Sequence, residues 1–185
     1  MDTFTDALIQ NWHVWFVTIV LIVAAVIDGW ILKVPNWLTF PFIVGGWVFC
    51  TFTGGWQGLI YSLLATFVGM MCLLLLRNRG GMGAGDVKLL AGIGAWMGTT
   101  HTLWAFAATC VVGGLMALVM IACSGQWKKH IAMARQILNE WRSIRDPKKL
   151  SEIARERKPT MYLLPYGIPL AIGAIGYFAA AGLLI

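Results

Sequence analysis

Charge is what this sequence has least of. Of its 185 residues only 12% are Asp, Glu, Lys or Arg, about half the share of an ordinary soluble domain. That shortage argues against a water-soluble globule. Together with 59% hydrophobic residues and a mean hydropathy of +0.75, it excludes a disordered or a nucleic-acid-binding chain. Cysteine is equally sparse: Cys50, Cys72, Cys110 and Cys123 have no CxxC spacing and fall in or at the ends of apolar runs. They read as small apolar packers, not as disulfide partners or zinc ligands. Basic residues are missing from Met1 to Gln10, which holds Asp2 and Asp6 instead, so this segment is no secretory signal peptide and the first apolar run is expected to stay in the mature chain. What is abundant is apolar bulk, ten Trp and nine Phe included, without the alternation of a β-sandwich. The fold class is therefore all-α, a polytopic integral membrane protein in a lipid bilayer.

A membrane helix needs about 20 apolar residues to cross roughly 30 Å of hydrocarbon. Residues 12–32 meet that length, with Asp28 as the one flaw, and 37–53 follow after a Pro35-Asn36 turn signal. Further runs cover 58–76, 87–98, 103–123 and 161–185, and the only long polar stretch is 124–160. The fourth run is short, about 18 Å as a helix. Charge parity retains it. Lys33 follows the first run, Arg77, Arg79 and Lys88 lie between the third and fourth, and the other ten basic residues all sit in 124–160. With six spans these three loops share one side, which the positive-inside rule makes cytoplasmic. Both termini then face outward, and 1–185 reads as a single domain in the cytoplasmic (inner) membrane.

The 124–160 loop reads as a solvated basic segment that fixes topology and lies against anionic lipid, or as a docking site for a partner. Ile131, Ala134, Leu138 and Trp141 recur at helical spacing among its basic residues, as in an interfacial amphipathic helix. Asp146-Pro147 has the form of an N-cap and first helical residue, predicting a second short helix through Arg157. Trp12, Trp15, Trp37, Trp56 and Trp104 lie near span ends as interfacial anchors. Gly94 and Gly98 form a GxxxG, which predicts a close helix contact. His13 and His101 fall outside and His130 inside, so they form no common metal site.

Of eight acidic residues, six lie at the outer terminus or in the large loop. Asp28 and Asp86 remain, in runs of opposite direction but near the same membrane face. An ionisable group in a span costs about 2.5–3.5 kcal/mol on insertion scales and by default marks function. Two carboxylates close enough to share a proton do not both ionise easily, so one serves as a base toward water and the other as an acid toward a leaving group. This is aspartic peptide hydrolysis, needing two carboxyls, a water, no metal and no cofactor. Each aspartate also has a plainer reading. Asp86 fits the N-cap of the run it precedes, and Asp28 fits an ion pair with Lys33 or Lys88. Gly83 and Gly85 leave room for an extended substrate backbone beside Asp86, or form only a flexible turn. Lys88 holds an aspartate's charge, orients substrate, or marks the cytoplasmic edge. No GxxxxGK[ST] phosphate loop is present.

Gly83-Ala84-Gly85-Asp86, continuing as Val87-Lys88-Leu89, is a GxGD motif. With Asp28 and the downstream Val34-Pro35-Asn36 it resembles the type IV prepilin peptidases, bacterial members of the GxGD intramembrane aspartic proteases. The resemblance extends to the six-span layout and to Pro165-Tyr166-Gly167-Ile168-Pro169, similar to that family's Pro-aromatic-Gly stretch in the last span, and so covers nearly the whole chain. It implies catalytic roles for Asp28 and Asp86, with Gly83, Gly85 and Lys88 in substrate binding or support. It also implies removal of the basic leader from prepilins or pseudopilins at the cytoplasmic membrane face. Longer bifunctional members carry an N-terminal extension with paired cysteines and also methylate the product. Here only about 11 residues precede the first span, so a peptidase without methyltransferase is expected, as in small members serving Flp/Tad-type or archaellin-like substrates. The competing function is a small proton-coupled carrier with Asp28 and Asp86 as relay groups, for which an internal repeat is the expected mark; the two halves show none. A third is an assembly subunit whose basic loop recruits a partner.

Overall fold

Apart from Asp28, the stretch from Trp12 to Ile31 is uncharged, and it forms one uninterrupted helix, α1 (Trp12–Ile31). In the computed structural model of the protein, residues 11–77, 83–124 and 165–184 are described, with Ala132, Arg135 and Gln136. The helices over 131–141 and 146–157 expected from the sequence lie outside the described residues apart from those last three, which are helical. Three more long elements follow: α2 (Asn36–Arg77), α3 (Ala84–Ser124) and α4 (Gly167–Ala180). Among the described residues there is no strand. By length and composition α1, the 36–74 part of α2, and α3 are able to cross a membrane, while α4 is apolar but short.

On α1, Val14, Val17, Leu21 and Ala24 are all at most 1% exposed, a 3–4 spacing that marks a single inward stripe. Asp28 continues that stripe four residues on. The opposite face is no more polar: Ile19, Ile22, Val26 and Trp30 are exposed there. A helix apolar on both its packed and its open sides suits lipid, not water. α1 ends at Leu32, which adopts the left-handed conformation (φ 54°) and returns its N–H to the carbonyl of Asp28. Pro35 then bars a helix through Val34. Its carbonyl accepts the N–H groups of Leu38 and Thr39 as α2 begins.

Both long helices are broken at a glycine. Gly55 has φ 60° and ψ −147°, and Gly98 has φ 77° and ψ 175°. Side-chain-bearing residues essentially never adopt these angles. At Gly55 the chain reverses, so that Trp47 Nε1 donates to Thr66 Oγ1 at 3.0 Å across the bend. The limb of α3 before Gly98 packs on α2, and the limb after it packs on α4, where Gly113 faces Pro169 and Tyr166. Among the described residues α1–α4 thus make six long helical limbs, α2 and α3 each reversing at its glycine, with the first limb of α3 spanning roughly 21 Å. A broken helix leaves its last carbonyls without helical partners. Ala95, in the last turn before Gly98, has its carbonyl met by Ser62 Oγ at 2.7 Å and by the Cys50 thiol at 3.4 Å. Trp96 Nε1 donates to the Phe42 carbonyl at 2.8 Å. Satisfying these groups internally is what permits such a bend at membrane depth.

The GxxxG expectation divides here. A Cβ on Gly94 would lie 2.3 Å from the Ala65 carbonyl oxygen, so Gly94 is a close helix contact. Gly98 has open space around it and is the break. The last helix also differs from the span expected over 161–185. It starts at Gly167 and gives way to turn after Ala180, with Gly182 at φ 68°; residues 161–164 lie outside the described residues.

These contacts predict unlike outcomes for three glycines. Gly94→Ala drives a Cβ into the Ala65 backbone and should destabilise by about 1–3 kcal/mol, as overpacking does. Gly98→Ala meets no neighbour but should still cost about 1–3 kcal/mol in backbone strain. Gly176→Ala, helical and open on its Cβ side, should be neutral or stabilising by up to about 1 kcal/mol. Thermal unfolding of the three variants in detergent, followed by tryptophan fluorescence, checks the order.

Candidate active site

Four helix ends meet at one end of the bundle: the C-terminus of α1 and the N-termini of α2, α3 and α4. The far end is closed by aromatics. There Trp12 packs edge-on against Phe49 and Trp96, with centroids 5.2 and 6.1 Å away, and His101 Nδ1 pairs with the Tyr177 hydroxyl at 2.9 Å.

Asp28 is 3% exposed. Its Oδ2 accepts the backbone N–H of Gly167 at 2.8 Å. Gly167 is the first residue of α4, so its N–H is one of the four donors that every helix start leaves unsatisfied. A carboxylate is the natural acceptor there, because the helix dipole places partial positive charge at that end. The approach is close enough to need glycine: a Cβ on Gly167 would stand 2.9 Å from both Asp28 Cβ and Oδ2. The ion pair with Lys88 that the sequence also allowed is not what Asp28 makes. Lys88 Nζ instead donates to Asn36 Oδ1 at 2.8 Å and lies 4.4 Å above the Phe40 ring.

Asp86 is 5% exposed and belongs to the first turn of α3, which begins at Ala84. It is the third residue of the helix, not the N-cap that sequence reasoning allowed; the glycines before it let the helix start earlier. Its Oδ2 lies against Gly83, where a Cβ would come within 2.9 Å. Tyr166, the residue before Gly167, is within electrostatic range of Asp86 and beside the Cys110 thiol. The dipeptide Tyr166-Gly167 thus bonds Asp28 through its backbone and holds its phenol within electrostatic range of Asp86.

Of the remaining site residues, Gly83 is exposed beside the Asp86 carboxylate. The Cβ side of Gly85 is filled by Val34, whose carbonyl oxygen would be 2.7 Å away. Two participants carried no assigned role in the sequence. Gly167 was visible only as part of an apolar Pro-Tyr-Gly stretch, although a glycine directly after a proline turn at the start of an apolar run is the available signal. Asn36 is legible as part of the Pro35-Asn36 turn and of the Val34-Pro35-Asn36 stretch behind the family resemblance, with no role of its own. Chemically, two buried carboxylates at one end of a helical bundle, if close enough to share a substrate, divide acid and base work between them.

Comparison with known proteins bears on this geometry. The sequence model of the type IV leader peptidase family matches residues 15–118. That range includes Asp28, Asp86 and Lys88 and stops short of Pro165–Pro169. A prepilin leader peptidase/N-methyltransferase of Aeromonas hydrophila is 32% identical over 111 residues, 56% of this chain and 38% of that protein. Its counterpart in Neisseria gonorrhoeae is 31% identical over 116 residues, 59% of this chain and 40% of that protein. The aligned part of the chain therefore spans about two fifths of the curated relatives it matches. No solved structure matches the chain.

The hydrogen bond to Gly167 separates two substitutions of Asp28. Asparagine keeps an acceptor oxygen for the α4 N–H, so Asp28→Asn should melt within about 1 kcal/mol of wild type, a net hydrogen bond's worth. Asp28→Ala strands that buried donor and should cost about 1–3 kcal/mol. Differential melting of the purified variants in detergent checks this, and equal losses would contradict it.

Proposed function

Because this chain belongs to the type IV leader peptidase family, we propose that it is an aspartic endopeptidase that cleaves the leader from type IV prepilin-like precursors, with Asp28 and Asp86 as its catalytic carboxylates. The observation that carries this reading is the burial of two aspartates, at the end of α1 and the start of α3, with the start of α4 hydrogen-bonded to the first of them. A proton-relay carrier needs polar groups along a path between two faces. Here both embedded acids stand at the same end, and aromatic packing occupies the other.

In the proposed reaction one carboxylate, ionised, takes a proton from water as its oxygen attacks the scissile carbonyl. The other, protonated, gives its proton to the departing amide nitrogen as the C–N bond breaks. Gly83, exposed beside Asp86, leaves room for extended substrate backbone, while Gly85 holds the α1–α2 connection. The six limbs cross the cytoplasmic membrane with both termini outside, and the aspartates face the cytoplasm, where the leader's positive charge remains. The 124–160 loop lies on that same side. The peptidase alone is proposed; the N-methyltransferase in the relatives' names is said of those proteins. Precursors of the Flp/Tad type are the first substrates to try.

Co-expression with such a precursor, scored by gel shift and by the mass of the new N-terminus, tests the reading. Wild type should remove the leader, and Asp28→Asn and Asp86→Asn, at equal membrane levels, should each lose at least about 100-fold in rate, the lower end of what an acid–base group supplies. Cleavage surviving either substitution would overturn the aspartic mechanism. The pH–rate profile of wild type should be a bell whose two limbs belong to the pair.

A further inference from the structure

The strap that joins α1 to α2, residues 32–35, is held against the first turns of α3 on both sides of Asp86. On one side Val34, 3% exposed, fills the space where Gly85 would carry a Cβ. On the other, Lys88 Nζ donates to Asn36 Oδ1 at 2.8 Å, with its ammonium 4.4 Å above the Phe40 ring. Asn36 is the first residue of α2, one past the N-cap position at which an Asn oxygen serves its own helix start. Here that oxygen is given to Lys88 on another helix. The strap begins four residues after Asp28, whose carbonyl receives the Leu32 N–H. A chain of short links therefore runs from Asp28 through Leu32, Val34 and Asn36 to Gly85 and Lys88, which flank Asp86.

We propose that Lys88 is a positioning residue for the two aspartates: its bond to Asn36 ties the helix end that carries Asp28 to the helix start that carries Asp86. Its ammonium faces Asn36 and Phe40, so it acts through the strap and neither supplies charge to a carboxylate nor binds the leader. The inference rests on the peptidase reading above and gives that site a supporting residue with a defined partner.

The test is steady-state cleavage of a precursor peptide by purified variants. Lys88→Met keeps the aliphatic stem on Phe40 and removes the donor; Asn36→Leu removes the acceptor. Each should lower kcat about 10–100-fold, as a misplacement of about 1 Å can, with KM within about twofold and both limbs of the pH profile where wild type has them. The double variant should be no slower than the worse single variant, because one shared bond is lost. Lys88→Arg, whose guanidinium can reach Asn36 and stack on Phe40, should return kcat to within about threefold of wild type. A shifted pH limb in Lys88→Met, a rise in KM alone, losses that multiply in the double variant, or a lowered melting temperature with unchanged kcat would each overturn the proposal. If Lys88→Met does not accumulate, Asn36→Leu reads the same bond from its other end, and an unchanged kcat there is equally fatal. Failure of the peptidase reading is distinct: it appears as cleavage by Asp28→Asn or Asp86→Asn, whatever Lys88 does.

Discussion

A buried carboxylate and an unsatisfied helix start are each costly in an apolar medium, and this fold makes each the answer to the other. Asp28 lies on the inward stripe of α1, with lipid-suited side chains on the helix's far side. Gly167 opens α4 with an N–H that its own helix cannot use. The 2.8 Å hydrogen bond between them satisfies both and fixes the relative height of α1 and α4. Once that height is set, Tyr166 comes beside Cys110 and Gly113 of α3, and the far ends of the helices meet at Trp12, Trp96, His101 and Tyr177.

The glycine breaks serve the same end. An uninterrupted α3 of 41 residues would rise roughly 60 Å, far beyond a bilayer, and would carry Gly113 away from the site. Reversal at Gly98 brings the second limb back, so that Gly113 and Cys110 stand beside Tyr166 near the level of Asp86. Reversal at Gly55 does the same for α2, delivering Ser62 to the Ala95 carbonyl that the neighbouring break exposes. The two bends are therefore coupled: the orphan acceptor created by one is met by a hydroxyl that the other places.

Much of this was legible from the residues. Asp28 stands out as the one charge in an apolar run; Pro35-Asn36 marks the start of α2; and the distribution of Lys and Arg argued for a short fourth limb that length alone would reject. What was not legible depends on which of several equivalent residues the tertiary structure uses. Gly94 and Gly98 are alike in sequence, yet one lies against the Ala65 backbone and the other turns the chain, a choice set by where α2 happens to pack. Asp86 reads as an N-cap because it directly precedes an apolar helical run, but Gly85 tolerates helical angles well enough for α3 to begin at Ala84. The partner of Lys88 lies 52 residues away on another helix, a distance no local pattern reports. The same holds for Gly167, whose role exists only because Asp28 arrives from 139 residues earlier.

The two aspartates stand in electrically unlike places on their own helices. Asp86 is in the first turn of α3, where the helix dipole favours an acid. Asp28 is in the last turn of α1, where the dipole opposes one. Left to α1 alone, Asp28 would face the negative ends of its neighbouring carbonyls as well as the loss of water. The N-terminus of α4 reverses that balance by bringing its positive end to the same carboxylate. Each acid is thus matched with a helix start, Asp86 with its own and Asp28 with a borrowed one. The borrowed start begins with Tyr166-Gly167, and Tyr166 stands within electrostatic range of Asp86. Compensation of the misplaced charge on α1 thus brings the start of α4 to the end of the bundle where α3 begins with Asp86.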